Sequence, residues 1–321
     1  GLMLTLALGA LGCGGDKKEA GAKAEKVNVG IVQLVEHEAL DAANKGFVDG
    51  LASKGYKEGQ NITFDKQNAQ ADQSNLQNIA HRFVNNKVDL ICAIATPAAQ
   101  TVANVTSDIP IVATAVTDYK TAKLVKDDAK PGTNVTGTTD MNPVAEQLDL
   151  LLKLVPNAKT IGTIYCSSEV NSQLQVELLK KAAAAKGITV KEATVSTVND
   201  IQQAARSLAG DVQAVYVPTD NVLASAIPTL ISVTEEAKLP VICAEGGMVR
   251  AGGLATLGVD YYKLGFQTGV MAADILSGKA KPADMAIQAQ KEFKPTINLK
   301  EAAKIGLKVP EDLLKGAEVI K

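Results

Sequence analysis

The chain has 321 residues, 46% of them hydrophobic and 21% charged, with a formal net charge of −2. That length exceeds one ordinary core and allows two lobes of usual size, and the composition is that of a folded protein rather than a disordered one. No basic excess points to nucleic acid or to an anionic membrane surface, and with no Trp and only 3% aromatics a stacking platform for single strands or sugars is disfavoured.

Residues 2–11 form an apolar run. At about 1.5 Å per residue it is too short to cross a bilayer core of roughly 30 Å. It reads as the apolar part of an export signal closing on Gly9, Ala10 and Gly12. No basic leader precedes it, so the start is read as truncated. Cys13 follows, then Gly14, Gly15 and a Lys/Glu/Ala-rich stretch. This resembles a bacterial lipoprotein signal, in which the cysteine after the cleavage point carries the lipid, although Ala10 stands where a leucine is usual. The resemblance implies lipidation at Cys13, a tether up to residue 26 and a place outside the cytoplasm, anchored to the cell membrane. A plain secretory peptide with an incidental cysteine is the alternative.

From residue 27 onward, apolar Val/Ile-rich runs alternate with amphipathic stretches. Strands are predicted at 27–32, 62–67, 88–95 and 109–116, with helices at 40–54, 74–85 and 97–106 between them. The plan then repeats: a helix at 143–154 ending before Pro156, strands at 160–165, 189–196, 214–218 and 240–244, and helices at 171–186, 200–208 and 221–237. This is the βαβ pattern of a parallel, doubly wound α/β sheet, present twice. The remainder (a strand at 255–259, a helix at 262–277, a strand at 286–293 and a helix at 299–305) is too little for a third core. The chain is therefore expected to return to the first lobe and then to the second. The boundaries read are 27–155 plus 252–283 for the N-terminal lobe and 156–251 plus 284–321 for the C-terminal lobe. Several crossings make a hinge, and a hinge implies closure on a ligand.

Ligands of open parallel sheets bind beyond the carboxyl ends of the strands. Those exits are polar in both halves: Gln33, Glu36 and His37; Thr96 and Pro97; Thr117 and Asp118; Ser167, Ser168 and Asn171; Thr219, Asp220 and Asn221; Glu245 and Gly246. Facing each other, they would line one cleft. Thr96-Pro97 and Ser167-Ser168 open helices and suit an anionic group. Asp220 and Glu245 are the foremost candidates for a ligand ammonium, with Glu36 and Asp118 behind them, so the cleft suits a zwitterion such as an amino acid. Taken singly, each of these residues also reads as a plain helix cap.

Competing chemistry lacks its residues. No phosphate-binding glycine loop, nucleophile elbow or C-x-x-C pair occurs; Cys92, Cys166 and Cys243 sit in apolar runs, and the histidines number two, His37 and His81. No enzyme, metal site or cofactor is read.

The strings Gln33-Leu34-Val35-Glu36-His37, Thr96-Pro97-Ala98-Ala99-Gln100, Asn134-Val135-Thr136-Gly137, Tyr216-Val217-Pro218-Thr219-Asp220-Asn221 and GLATLGVDYYKLGFQTG at 253–269 resemble the ABC transporter substrate-binding family that includes tryptophan- and tyrosine-binding lipoproteins. The resemblance spans roughly residues 27 to 315. It implies the type I periplasmic-binding fold, two Rossmann-like lobes with three hinge crossings, an ABC permease as membrane partner and an amino acid, aromatic ones favoured, as ligand. By similarity to the sugar-binding core of bacterial repressors, Asp260 stands where a hinge segment places a polar residue at the ligand. An aromatic ligand would have Tyr119, Tyr165 or Pro97 to pack on. The chain is read as a monomer. A ligand-sensing lipoprotein, or a binder of a sugar or nucleoside on the same fold, stays open.

Overall fold

A computed structural model describes residues 26–321. The apolar run, Cys13 and most of the tether lie outside the described residues.

The first lobe opens with β1 (Val27–Gln33), α1 (Glu38–Ser53), β2 (Ile62–Asn68), α2 (Gln73–Asn85), β3 (Leu90–Ile94), α3 (Thr96–Val105), β4 (Ile111–Val116) and β5 (Val135–Thr139). The chain then crosses to build the second lobe. Its elements are α4 (Val144–Leu154), β6 (Thr160–Cys166), α5 (Val170–Ala184), β7 (Thr189–Val195), α6 (Ile201–Ala209), β8 (Val215–Val217), α7 (Asn221–Ser225), α8 (Ile227–Glu236), β9 (Val241–Cys243), α9 (Gly246–Arg250) and β10 (Ala255–Gly258). It returns to the first lobe for α10 (Tyr261–Leu276) and β11 (Gln288–Ala289). It ends in the second with β12 (Lys294–Asn298), α11 (Leu299–Ile305) and β13 (Glu318–Ile320). The strand orders are β11-β5-β4-β3-β1-β2 and β13-β12-β10-β9-β8-β6-β7. Every pairing is parallel except β10 with β12.

The two parallel sheets and the chain's three passages between them agree with the reading from sequence; the boundaries differ. Val144, Leu148 and Leu151 of α4 pack with Ile161, Tyr216 and Ile297 in the second core. The first crossing is therefore at 140–143 and not at Pro156, which ends a helix rather than a lobe. β10 pairs with β9 and β12, so 252–258 belongs to the second lobe. Of the strand read at 286–293 only β11 is a strand; the third crossing follows it, and β12 begins beyond those bounds at Lys294. The helix read at 221–237 breaks before Pro228, with Ala226 non-helical between α7 and α8; a helix cannot carry a proline past its first turn. β5 went unread because Val135–Thr139 is too short and threonine-rich to show an apolar run.

α10 is fixed to α1 by backbone contact. A Cβ at Gly46 would fall on the Tyr262 carbonyl oxygen, and one at Gly265 on that of Ala43. Only glycine allows the helices this near.

Candidate functional site

Between the carboxyl ends of the sheets lies a cavity of about 580 Å³. The first lobe contributes Leu34 after β1, Leu76 of α2 and Pro97 of α3; the second contributes Ser168 and Glu169 after β6 and Asn221 at the start of α7. Two side-chain hydrogen bonds join the lobes, one at this cavity and one at the smaller space beside it, and a third ties the first crossing to the second lobe. His37 Nε2 lies 3.1 Å from Asn221 Oδ1, Asn142 Nδ2 donates to Thr219 Oγ1 at 3.1 Å, and the Arg250 guanidinium donates to the Glu38 carboxylate.

Glu169 is the acid that faces this cavity. It is 3% exposed and stands just ahead of α5. Its carboxylate accepts from Asn221 N at 3.0 Å, Asn221 Nδ2 at 2.6 Å, Asn171 Nδ2 at 2.9 Å and Val222 N at 3.3 Å. Burial, joined by the neighbouring Asp220 carboxylate, holds its pKa well above the ordinary carboxylate range, and those donors pull it part of the way back. A cation placed beside it would favour the charged form.

Asp220, which the sequence reading put in that role, lies behind Glu169. Its carboxylate is taken up by Cys166 N at 2.6 Å, Ser172 Oγ at 2.7 Å and Leu223 N at 2.9 Å, and it is 1% exposed. It ties β6 to α7, which is the helix-cap alternative. Glu245 is likewise a cap, accepting from Gly247 N and Met248 N, and burial pushes it up to about 7. With Gly246 and Asp260, the latter capping α10 at Lys263 N, it lines a separate space of about 180 Å³ beside the second crossing.

The other residues read from sequence divide similarly. Pro97, Ser168 and Asn221 line the main cavity. Thr96, beside Pro97, is 2% exposed, and its Oγ1 finds no partner among the described residues; the same holds for Asn171 Oδ1 and His37 Nδ1. Thr219 accepts from Asn142 and bonds through N and Oγ1 to Gln175 Oε1 at 3.0 and 2.9 Å. Thr117 donates to buried Asp140 at 2.9 Å. Asp118 caps the turn at Thr121 N. Ser167 is exposed, its hydroxyl donating to the Val195 carbonyl at 3.5 Å while its own carbonyl accepts from Gln173 Nε2 at 2.6 Å. Gln33 is clamped by Asp41 and Asn44 and faces, with exposed Glu36, a groove on the first lobe's outer side. Of the three packing surfaces for a ring, Pro97 alone is in the cavity. Tyr119 is 1% exposed inside the first core, and Tyr165 bonds Glu192 at the β6–β7 edge.

Glu169 is not among the residues read from sequence, although it stands between Ser168 and Asn171, which are. Nor are Asp140, Asn142 and Tyr261 at the crossings. Tyr261 Oη donates to Asp140 Oδ2 at 2.7 Å, joining the first crossing to the second. Asp140 follows the unread strand β5, so nothing marked it as a strand exit.

Two α/β lobes on three crossings, with polar strand exits turned toward a shared cavity, define a clamp-type solute-binding protein. The chain belongs to the ABC transporter substrate-binding protein family, whose model matches residues 28–321. It is similar to the tyrosine-binding protein of Clostridioides difficile (strain R20291), 48% identical over 83% of this chain and 76% of that one. Among solved structures it is similar to the ABC domain in complex with L-Trp from Streptococcus pneumonia: 41% identity, 92% of this chain and 100% of that one, TM-score 0.89. It is also similar to the ligand-free, open structure of a substrate-binding protein with adhesive properties from Clostridium difficile, at 45% identity over 92% and 99% of the chains, with TM-score 0.71. The fit to the open structure is looser despite the higher identity. The protein is the solute-binding component of an ABC transporter and not an enzyme.

Proposed function

We propose that the protein captures an aromatic L-amino acid, tyrosine or tryptophan, for an ABC importer, outside the cytoplasm and held to the membrane by a lipid on Cys13. Glu169 takes the ligand ammonium, with Asn221 and Asn171 holding the carboxylate in place. Thr96 Oγ1 and the amide groups at the start of α3 take the ligand carboxylate, where a helix N-terminus favours negative charge. Leu34, Leu76 and Pro97 give the ring an apolar surface. The observation that carries this is Glu169, a buried carboxylate lining a cavity whose other wall is the start of α3. The volume of about 580 Å³ is of the size small-molecule pockets take. The tyrosine- and tryptophan-binding relatives support the ligand class.

Thermal shift on the chain from Ala20 onward, with a panel of amino acids, sugars and nucleosides, tests it. At about 100 times its dissociation constant a ligand adds roughly 2.7 kcal/mol of stability. L-tyrosine or L-tryptophan should give that shift; a shift with a sugar or nucleoside and none with any amino acid would refute the ligand class.

A further inference from the structure

We propose that His37 is the latch of the closed clamp: its neutral ring, donating from Nε2 to Asn221, fastens the first lobe to the group that holds Glu169, and protonation of the ring releases it.

The tautomer follows from the partners. Asn221 Nδ2 is committed to Glu169 Oε2 at 2.6 Å, so Asn221 Oδ1 is the acceptor left for His37. His37 Nε2 therefore carries the hydrogen. Nδ1 is buried with no partner among the described residues, so in the closed form the ring has a donor in use and a bare lone pair. A proton on Nδ1 would be a buried charge with no acceptor.

His37 is faced by Glu38 and Asp41 on its own helix and by Asn221 of α7, with Glu169 and then Asp220 behind Asn221. Glu38 is paired with Arg250 of α9, near Glu245, and Asp41 with Gln33 Nε2. Glu38 and Asp41 favour the charged ring, but burial outweighs them and holds the imidazole below its ordinary range. In an open clamp the Asn221 contact is broken and the ring meets water, where its pKa is about 6.5. The open form then binds the proton more tightly than the closed one. Closure is complete above about pH 6.5 and weakens as pH falls through it, by up to about tenfold per pH unit for one proton. The coupling to ligand rests on the reading of Glu169 given above; the closure step rests on the contact between lobes.

The test is calorimetry with L-tyrosine and L-tryptophan from pH 8.5 to 5.0 on the wild type and His37→Gln, whose amide can donate to Asn221 but does not titrate. Wild-type affinity should fall about tenfold more than that of the variant between pH 7 and 5.5. Titration of Glu169 is common to both and cancels in the difference. Parallel profiles overturn the latch. Should the variant not fold, ¹⁵N-histidine spectra of the liganded wild type at pH 6 decide, since the chain has only two histidines. A neutral His37 with its hydrogen on Nε2 is the expected result; a doubly protonated ring or the Nδ1–H form overturns it. If neither amino acid binds, the ligand reading fails instead. The same pair of titrations with whichever solute of the thermal-shift panel binds then tests the latch by itself, and parallel profiles again overturn it.

Discussion

Replacing Glu169 by glutamine removes one charge from the cavity wall and keeps the side chain's size. In the free protein the cost is small or reversed. The carboxylate is buried against Asp220, so neutralising one of the pair relieves both desolvation and repulsion. Against this, one amide NH₂ must now face donors that supplied four N–H groups to the carboxylate. With ligand the balance changes. A buried ammonium loses its counter-charge, and truncating one member of such a pair costs about 2–5 kcal/mol, or roughly 30-fold to several thousand-fold in Kd at about 1.4 kcal/mol per tenfold. Titration of L-tyrosine or L-tryptophan at pH 7.5, beside a melting curve, separates the two effects. A folded Glu169→Gln that binds within threefold of wild type would refute the assignment. Glu169→Gln should also change the pH profile of the free protein. A carboxyl whose folded pKa is raised stabilises the fold fully below its unfolded value and loses that contribution as pH climbs through the raised one. Wild-type stability should therefore fall more steeply over that span than the variant's, which keeps only the contribution of the other raised carboxyls such as Glu245.

Gly265→Ala drives a methyl group into the Ala43 carbonyl and should lower stability by about 1–3 kcal/mol or more in urea unfolding; an unchanged midpoint would mean that α1 and α10 can separate without strain. Glu245→Gln should flatten the part of the pH–stability curve between about 4.5 and 7, because burial pushes this carboxyl up to about 7 and its ionisation on raising the pH weakens the fold; a variant as pH-sensitive as wild type in that window would disagree. Cys13→Ser, made behind a complete export signal, should move the protein from the membrane fraction to the soluble one on centrifugation.

The alternation of apolar runs and amphipathic helices was legible because a parallel strand buried on both faces writes itself as a continuous Val/Ile run, as Leu90–Ile94 does. The limits of each lobe were not. Whether α4 faces back or forward depends on which sheet its apolar side meets, and Val144 and Leu148 would satisfy either. The site was half legible for the same reason. Strand exits can be counted along a chain, so Pro97, Ser168 and Asn221, which line the cavity, could be named from sequence. Which of two carboxylates at neighbouring strand exits points into the cavity is set by local geometry: Asp220, after β8, turns in to cap α7 while Glu169, after β6, takes the cavity side. Composition and periodicity do not separate them.

The glycine contact between α1 and α10 reaches beyond packing. α10 begins at Tyr261, directly after the second crossing, and α1 begins beside His37 and Glu38, the first-lobe residues that grip the second lobe. Two helices joined backbone to backbone turn as one stiff beam. A small rotation where the chain passes between lobes is thus delivered undamped to the gripping residues some distance away, so the compliance of the molecule is concentrated in the short connectors rather than spread through either half.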